Sequence, residues 1–112
     1  MNLNDLTIGH AKELAAVFGG KGSGNVAGPW VIGTNYLIRT VTMIQTGLLV
    51  AVTEHELMLE DAAWVADTGR FHDALKTGDL NEVEPFIRPV IVGRGAIVDA
   101  TEWVHELPKT QK

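Results

Sequence analysis

The spacing of hydrophobic positions changes near residue 30, and this change predicts a helix followed by a β-sheet. In "TIGHAKELAAVF" the apolar residues recur every three or four positions, so they share one face of a helix. We therefore expect an N-terminal α-helix within residues 1–19, ended by Gly19. Residues 20–29, which follow, are rich in glycine and typical of a flexible linker.

After residue 30 the sequence is rich in β-branched and aromatic residues. Three segments, "NYLIRTVTM", "TGLLVAVT" and "ELMLEDAAWV", predict an antiparallel meander whose second turn is "TEHE", residues 53–56. Two shorter segments, "PVIVG" and "AIVDATEWV", predict strands four and five. The break between these two strands falls at Arg94 and Gly95, and the glycine is expected to let the backbone turn sharply there.

An insertion over residues 66–82 separates the third and fourth predicted strands. We expect it to be an add-on outside the sheet, with a short helix that Thr68 caps and Gly78 ends. Phe71 and Leu75 lie one turn apart on this helix and are expected to pack against the sheet or a neighbouring subunit.

These elements predict a fold that is mainly β. An N-terminal helix and five short antiparallel strands suit a small, strongly bent five-stranded barrel with a helical insertion between strands three and four. The predicted single domain comprises the helix at 1–19, the linker at 20–29, the barrel at 30–104 with its insertion at 66–82, and a polar tail at 105–112.

Composition restricts the function. The chain has 112 residues and no cysteine, which excludes disulfides and thiolate metal sites. Its net charge of −5 argues against non-specific DNA binding, which requires a basic surface. The longest apolar run, "LLVAV", is far too short to span a bilayer, and we expect no membrane partner and no signal peptide.

No catalytic constellation is evident. The glycine-rich "GGKGSG" follows a helix and precedes a strand, which is the reverse of a phosphate-binding loop. The four histidines lack the spacing of a helical zinc site, and no Gly-x-Ser-x-Gly elbow is present. Glu60 and Asp61 alternate across strand three, so only one can face inward, where it would lock a turn. We expect no enzymatic activity, no catalytic residue, no metal and no cofactor.

Two motifs resemble those of the Sm-like family, which includes the bacterial Hfq proteins. The first is Gly47 followed by "LMLEDA", and the second is "VIVGRG" followed by "AIVDATEW". The likeness runs from Tyr36 to Trp103, apart from the insertion. It implies a homo-oligomeric ring in which "ELMLEDA" and "PVIVG" pair between neighbouring subunits, with "TEHE" facing the central pore.

The resemblance also implies a ligand site. RNA-binding members read a base with an asparagine in the turn before strand three, beside a stacking side chain. Glu56 stands at the asparagine position here, with His55 next to it, whereas the arginine position is kept as Arg94. The candidate ligand-binding residues are Arg94, Gly95, His55 and Glu56. The alternative role for Arg94 is an ion pair with Glu56 or Asp99 that only stabilises the turn.

The whole chain also resembles a group of small phage and prophage proteins, in stretches such as "LEDAAWVADTGRF" and "GRGAIVDATEWVHELP". This likeness implies a viral or prophage origin and no particular activity. Two functions remain open. One is a ring that binds RNA or a small nucleotide at its pore or rim, and the other is a purely structural ring, stack or virion-associated component. For both we expect a location in the bacterial host cytoplasm or in association with the phage.

Overall fold

The structure is a computed structural model that describes residues 26–112. The N-terminal helix predicted within residues 1–19 and most of the linker lie outside the described residues. Residues 26–29, the end of the linker, form a turn. The described part of the chain is mainly β, with six strands and one α-helix.

The strands are β1 (Asn35–Thr40), β2 (Ile44–Val52), β3 (Glu56–Asp67), β4 (Glu82–Pro85), β5 (Val90–Gly93) and β6 (Ile97–Glu102). Helix α1 (Phe71–Thr77) lies between β3 and β4, and one 3₁₀ turn (Arg94–Ala96) joins β5 to β6. All strand pairs are antiparallel, in the order β4-β3-β2-β1-β6, while β5 pairs with β3.

Strand β3 has two different partners on its outer side because it is long and bent. Its first half pairs with β5, with Leu57 opposite Val92, and its second half pairs with β4. The bend coincides with a β-bulge at Asp61, whose φ of 49° is the one positive value among the non-glycine residues described. Gly47 faces this bulge on β2. A Cβ at Gly47 would lie 3.0 Å from the Cβ of Leu59, so the close approach favours glycine at this position.

Four sequence predictions about the sheet are wrong. There are six strands rather than five, because "EVEP" within the predicted insertion forms β4. The described sheet is open rather than a closed barrel, since β5 and β6 do not pair with each other. The segments "ELMLEDA" and "PVIVG", expected to pair between subunits, pair within one chain as β3 and β5. Neither Glu60 nor Asp61 faces inward, because the bulge leaves both side chains exposed.

Two hydrophobic cores lie on opposite faces of the sheet. Leu37 belongs to one core and its neighbours Tyr36 and Ile38 to the other, as alternation along a strand requires. The first core contains Tyr36, Ile38, Leu49, Val52, Leu57, Leu59, Ala62 and Val92, and the second contains Leu37, Ala63, Val65, Ala74, Leu80, Val83, Trp103 and Leu107. Helix α1 supplies Ala74 to the second core, so the helix of the insertion packs against the sheet.

The sequence predicted the C-terminal end of α1 correctly and its N-terminal cap wrongly. Phe71 and Leu75 pack against the second core, as predicted. Gly78 ends the helix with φ of 79°, and its backbone N–H donates a hydrogen bond to the Ala74 carbonyl oxygen at 2.8 Å. Thr68 does not cap the helix, because its hydroxyl donates to the Gly69 carbonyl instead. The residue preceding the helix, Arg70, makes no side-chain capping bond.

Residues 103–112, named here the C-terminal strap, are integrated into the fold. Trp103 and Leu107 are buried in the second core. The Lys112 backbone exchanges two hydrogen bonds with Val83, of 3.0 and 2.9 Å, so the strap covers part of the outer edge of β4. The prediction of a polar tail from residue 105 therefore missed a packing element. Among residues 26–112, no helix has the length and apolar character needed to cross a membrane.

Candidate functional site

The β2–β3 turn and the start of the 3₁₀ turn lie side by side. The turn at residues 53–56 is a tight hairpin, as predicted, in which Thr53 N donates to Glu56 O at 2.8 Å and Thr53 Oγ1 accepts from Glu56 N at 3.0 Å. Strand pairing places Glu56 opposite Gly93, and Arg94 N donates to His55 O at 2.9 Å. The hairpin and the β5–β6 junction therefore form one continuous surface.

The four residues proposed from sequence are brought together on this surface. His55, Glu56 and Gly95 are exposed, and Arg94 is half-buried. The sequence reasoning on Gly95 was wrong, however. Gly95 is not among the described glycines with positive φ, and a Cβ there would meet nothing within 4 Å. Neither the backbone conformation at residue 95 nor the space around it within one chain requires a glycine.

Arg94 acts as a clamp between three chain segments. Its Nη1 donates to the carbonyl oxygens of Thr53 and Val26, both at 2.7 Å. The guanidinium thus holds the hairpin turn and the start of the described chain together. Neither Glu56 nor Asp99 pairs with Arg94 within residues 26–112, so the predicted turn-stabilising ion pairs are wrong. Arg94 does stabilise the turn, but through main-chain carbonyls.

Asp99 pairs with Arg39 instead. The two residues are cross-strand neighbours on β6 and β1, and Arg39 Nε donates to Asp99 Oδ1 at 2.7 Å while Nη2 contacts Oδ2. The guanidinium also lies 4.8 Å from the centre of the Phe71 ring. Hydrogen bonding by Arg39 lowers the pKa of the Asp99 carboxyl. The pair is exposed, so its contribution to the stability of the fold is small.

A second concave region, missed by the sequence reasoning, lies between the end of α1 and the C-terminal strap. It is a cleft of about 420 Å³, with Leu80, Val83 and Leu107 among its lining residues. Lys112 and Lys109, which also line it, already pair with Asp79 at 2.7 Å and Asp61 at 3.4 Å. Most residues of the strap are polar, and no local pattern in the sequence predicts that Leu107 is buried.

The part of the chain that the structure describes shows no candidate metal centre. Within residues 26–112, no three histidine or carboxylate side chains converge as a cation site. Comparison with protein-family models, with curated proteins and with solved structures finds no match to this chain.

Proposed function

We propose that this protein is a non-enzymatic, self-assembling protein in which neighbouring copies close an open, Sm-like sheet into a ring. The observation that carries the proposal is the state of two strand edges. Among the described residues, no strand pairs with the outer edge of β5 or of β6. Unpaired edges favour association with another chain unless they are covered.

The register shows which backbone groups these edges offer. Trp103 N donates to Asn35 O, and antiparallel pairs alternate between bonded and non-bonded. Residues 99 and 101 therefore point their N–H groups toward β1, and residue 100 points its N–H group outward. The same alternation, set by Arg94 N bonding to His55 O, directs the N–H groups of residues 91 and 93 away from β3.

Two different edges on one chain support head-to-tail assembly. If β5 of one copy pairs with β6 of the next, the contact is heterologous, and a suitable rotation closes it into a ring. The bend in β3 supports this arrangement because it separates the β5 half of the sheet from the β4 half. The edge of β4 is partly covered by the C-terminal strap, which leaves β5 and β6 as the available pair.

Nucleotide or RNA binding at the Arg94 surface belongs to the same proposal. Nη1 of Arg94 is engaged, whereas Nε and Nη2 make no hydrogen bond within the described residues. These donors can bind a phosphate, and ring symmetry would repeat them once per copy. His55 lies exposed beside them.

The second candidate is an assembly protein without a small ligand. Its support is that Arg94 has a structural role at the Thr53 and Val26 carbonyls, and that exposed Glu54 and Glu56 stand next to it. In this version, ring or stack formation is itself the function. The resemblance of the chain to small phage proteins is compatible with both versions.

The assembly test blocks one edge without disturbing the internal sheet. Ala100→Pro removes an outward N–H from β6 and keeps the bonds to β1, while Ala100→Val keeps the N–H and serves as the control. Light scattering coupled to size exclusion should give a multiple of 12.1 kDa for the natural protein and for Ala100→Val, and a smaller mass for Ala100→Pro. A single-chain mass for the natural protein at micromolar concentration refutes the ring.

The ligand test compares two arginines. Nucleotide retained on the purified ring, measured by absorbance at 260 and 280 nm, should disappear in Arg94→Ala and persist in Arg88→Ala, which changes an exposed arginine between β4 and β5. A ring with a clean protein spectrum that binds no added nucleotide supports the assembly protein instead.

A further inference from the structure

A row of three side chains crosses one face of the sheet far from Arg94. The register places Gln45 on β2 opposite Trp64 on β3, and Trp64 opposite Glu84 on β4. Directly opposite residues share a face, and their Cβ atoms lie about 5 Å apart. Gln45 and Glu84 therefore flank the indole of Trp64 from its two sides.

Trp64 is unusually open for a tryptophan in the middle of a strand. Its exposed fraction is 40%, whereas Ala63 and Val65 beside it are 0% and 3% exposed on the other face. Phe86 is 38% exposed, and its N–H donates to Ala62 O, which makes it a diagonal neighbour of Trp64 on the same face. Two aromatic side chains on this face are thus partly accessible.

Gln45 carries an unsatisfied acceptor next to this aromatic surface. The residue is 5% exposed, and its Oε1 is buried without a hydrogen-bond partner in the part of the chain that the structure describes. A buried carbonyl left unpaired is destabilising, so an N–H group that met Oε1 after the Gln45 amide had rotated toward Trp64 would remove this penalty. The amide thereby indicates a ligand with a hydrogen-bond donor.

Glu84 supplies the second acceptor, and it is charged. Its Oε2 accepts from Gln111 Nε2 of the C-terminal strap at 3.3 Å, so the carboxylate lies toward the strap, and this exposed side chain must rotate to reach a ligand over Trp64. Glu82 lies two positions earlier on β4 and so faces the same side. The surroundings of Trp64 thus combine π-faces with acceptors and negative charge.

We propose that Gln45, Trp64 and Glu84 form a binding site for the guanidinium group of an arginine in a basic peptide segment of a partner protein. A cation is favoured over the face of tryptophan, and arginine is the side chain that stacks there most often. The N–H groups on the two sides of a guanidinium reach acceptors roughly 8 Å apart at normal hydrogen-bond lengths. Gln45 and Glu84 are separated by two interstrand spacings, about 9.6 Å, which their side chains can close.

A phosphate or nucleotide does not suit this surface. Its anionic groups would face Glu84 and Glu82, and Gln45 Oε1 cannot donate a hydrogen bond. The net charge of −5 instead attracts a basic partner. This site is independent of the proposed ring, since Trp64 lies in the β4-paired half of β3 and belongs to neither open edge.

The test uses the full chain and a capped hexa-arginine peptide in a calorimetric titration at low salt. The comparison peptide carries citrulline at every position, which keeps the planar side chain and removes its charge. We expect hexa-arginine to bind and the citrulline peptide to bind at least tenfold more weakly. Trp64→Ala and Gln45→Leu should each weaken binding of hexa-arginine several-fold, as cation–π contacts and single hydrogen bonds predict.

The charge control uses two exposed glutamates. Glu84→Gln and Glu102→Gln change the net charge equally, but only Glu84 lies in the row. We expect Glu84→Gln to lower the affinity several-fold and Glu102→Gln to change it less than twofold. Equal losses for the two variants, or unchanged binding by Trp64→Ala, would overturn the proposal and reduce the interaction to bulk charge.

Two further measurements guard against misfolding and self-association. Trp64→Phe retains a ring and should keep most of the binding, and in the natural protein the indole N–H resonance of Trp64 should shift on titration. No shift of this resonance at saturating peptide contradicts the site even if variants misfold. A drop in oligomer mass caused by Trp64→Ala assigns the surface to contacts between copies and also overturns the proposal.

Discussion

Replacing Thr46 with valine should stabilise the protein, although the residue is at the centre of the sheet. Thr46 is 0% exposed on β2, and within residues 26–112 its Oγ1 has no hydrogen-bond partner. Its cross-strand neighbours are Leu37 and Ala63, both apolar and buried in the second core. Folding therefore removes the hydrogen bonds of this hydroxyl to water and replaces them with none among the described residues.

The size of the effect follows from this environment. An unpaired buried hydroxyl costs about 1–3 kcal/mol, and valine has nearly the same shape with a methyl group in place of the hydroxyl. The new methyl adds a favourable burial term of about 0.8 kcal/mol, part of which is lost to imperfect fit. We expect a net gain of about 1–2 kcal/mol, which is about 4–8 °C in melting temperature for a domain of this size.

The assay is urea unfolding followed by circular dichroism at one fixed protein concentration, because association would shift the midpoint. Thr101→Val is the matched control, since Thr101 lies on β6 opposite Leu37 in the same cross-sheet row but is exposed. It should change stability by less than about 0.5 kcal/mol. A destabilised Thr46→Val variant would refute the reasoning, because the hydroxyl would then have a bonding partner in solution.

Two other predictions concern single positions. Gly78→Ala should destabilise the fold by about 2 kcal/mol or more, because φ is 79° and the new Cβ would lie 2.5 Å from His105 Cγ, whereas Gly95→Ala should be nearly neutral; thermal melts compare the two variants. Asp99→Asn should lower the melting temperature at pH 7, where Asp99 is paired with Arg39. Since pairing lowers the pKa of Asp99, its contribution is present above about pH 4 and is lost as pH falls through the lowered pKa, so the two melting curves should converge in acid.

The strands that the sequence predicted well are those linked by short turns. The meander of β1, β2 and β3 is visible in runs of β-branched residues, and the turn between β2 and β3 consists of four polar residues, 53–56. The end of α1 at Gly78 was equally readable. Each of these features depends on contacts between residues close in sequence, so the local pattern contains the information.

Strand β4 and the sheet's open state were not readable in this way. "EVEP" is short and half charged, and it becomes a strand because β3 bends at Asp61 and leaves its second half free to pair. The strap at residues 103–112 is held in place because Leu107 packs in the second core and the Lys112 backbone bonds to Val83. No periodic pattern of apolar residues predicts these contacts.

The same distinction applies to the candidate site. The sequence alone, through motif likeness, brought Arg94, Gly95, His55 and Glu56 together, and the structure places them on one surface. Only the tertiary structure identifies the hydrogen-bond partners of Arg94, which are the backbone carbonyl oxygens of residues 26 and 53. Every residue has a backbone carbonyl, so the sequence does not distinguish these two. Composition and periodicity determine which segments can be strands and which faces are apolar. Pairing between segments distant in sequence decides which strand edges stay unpaired and which polar groups lack a hydrogen-bond partner. These outcomes depend on the three-dimensional arrangement of the strands, which a local stretch of sequence does not determine.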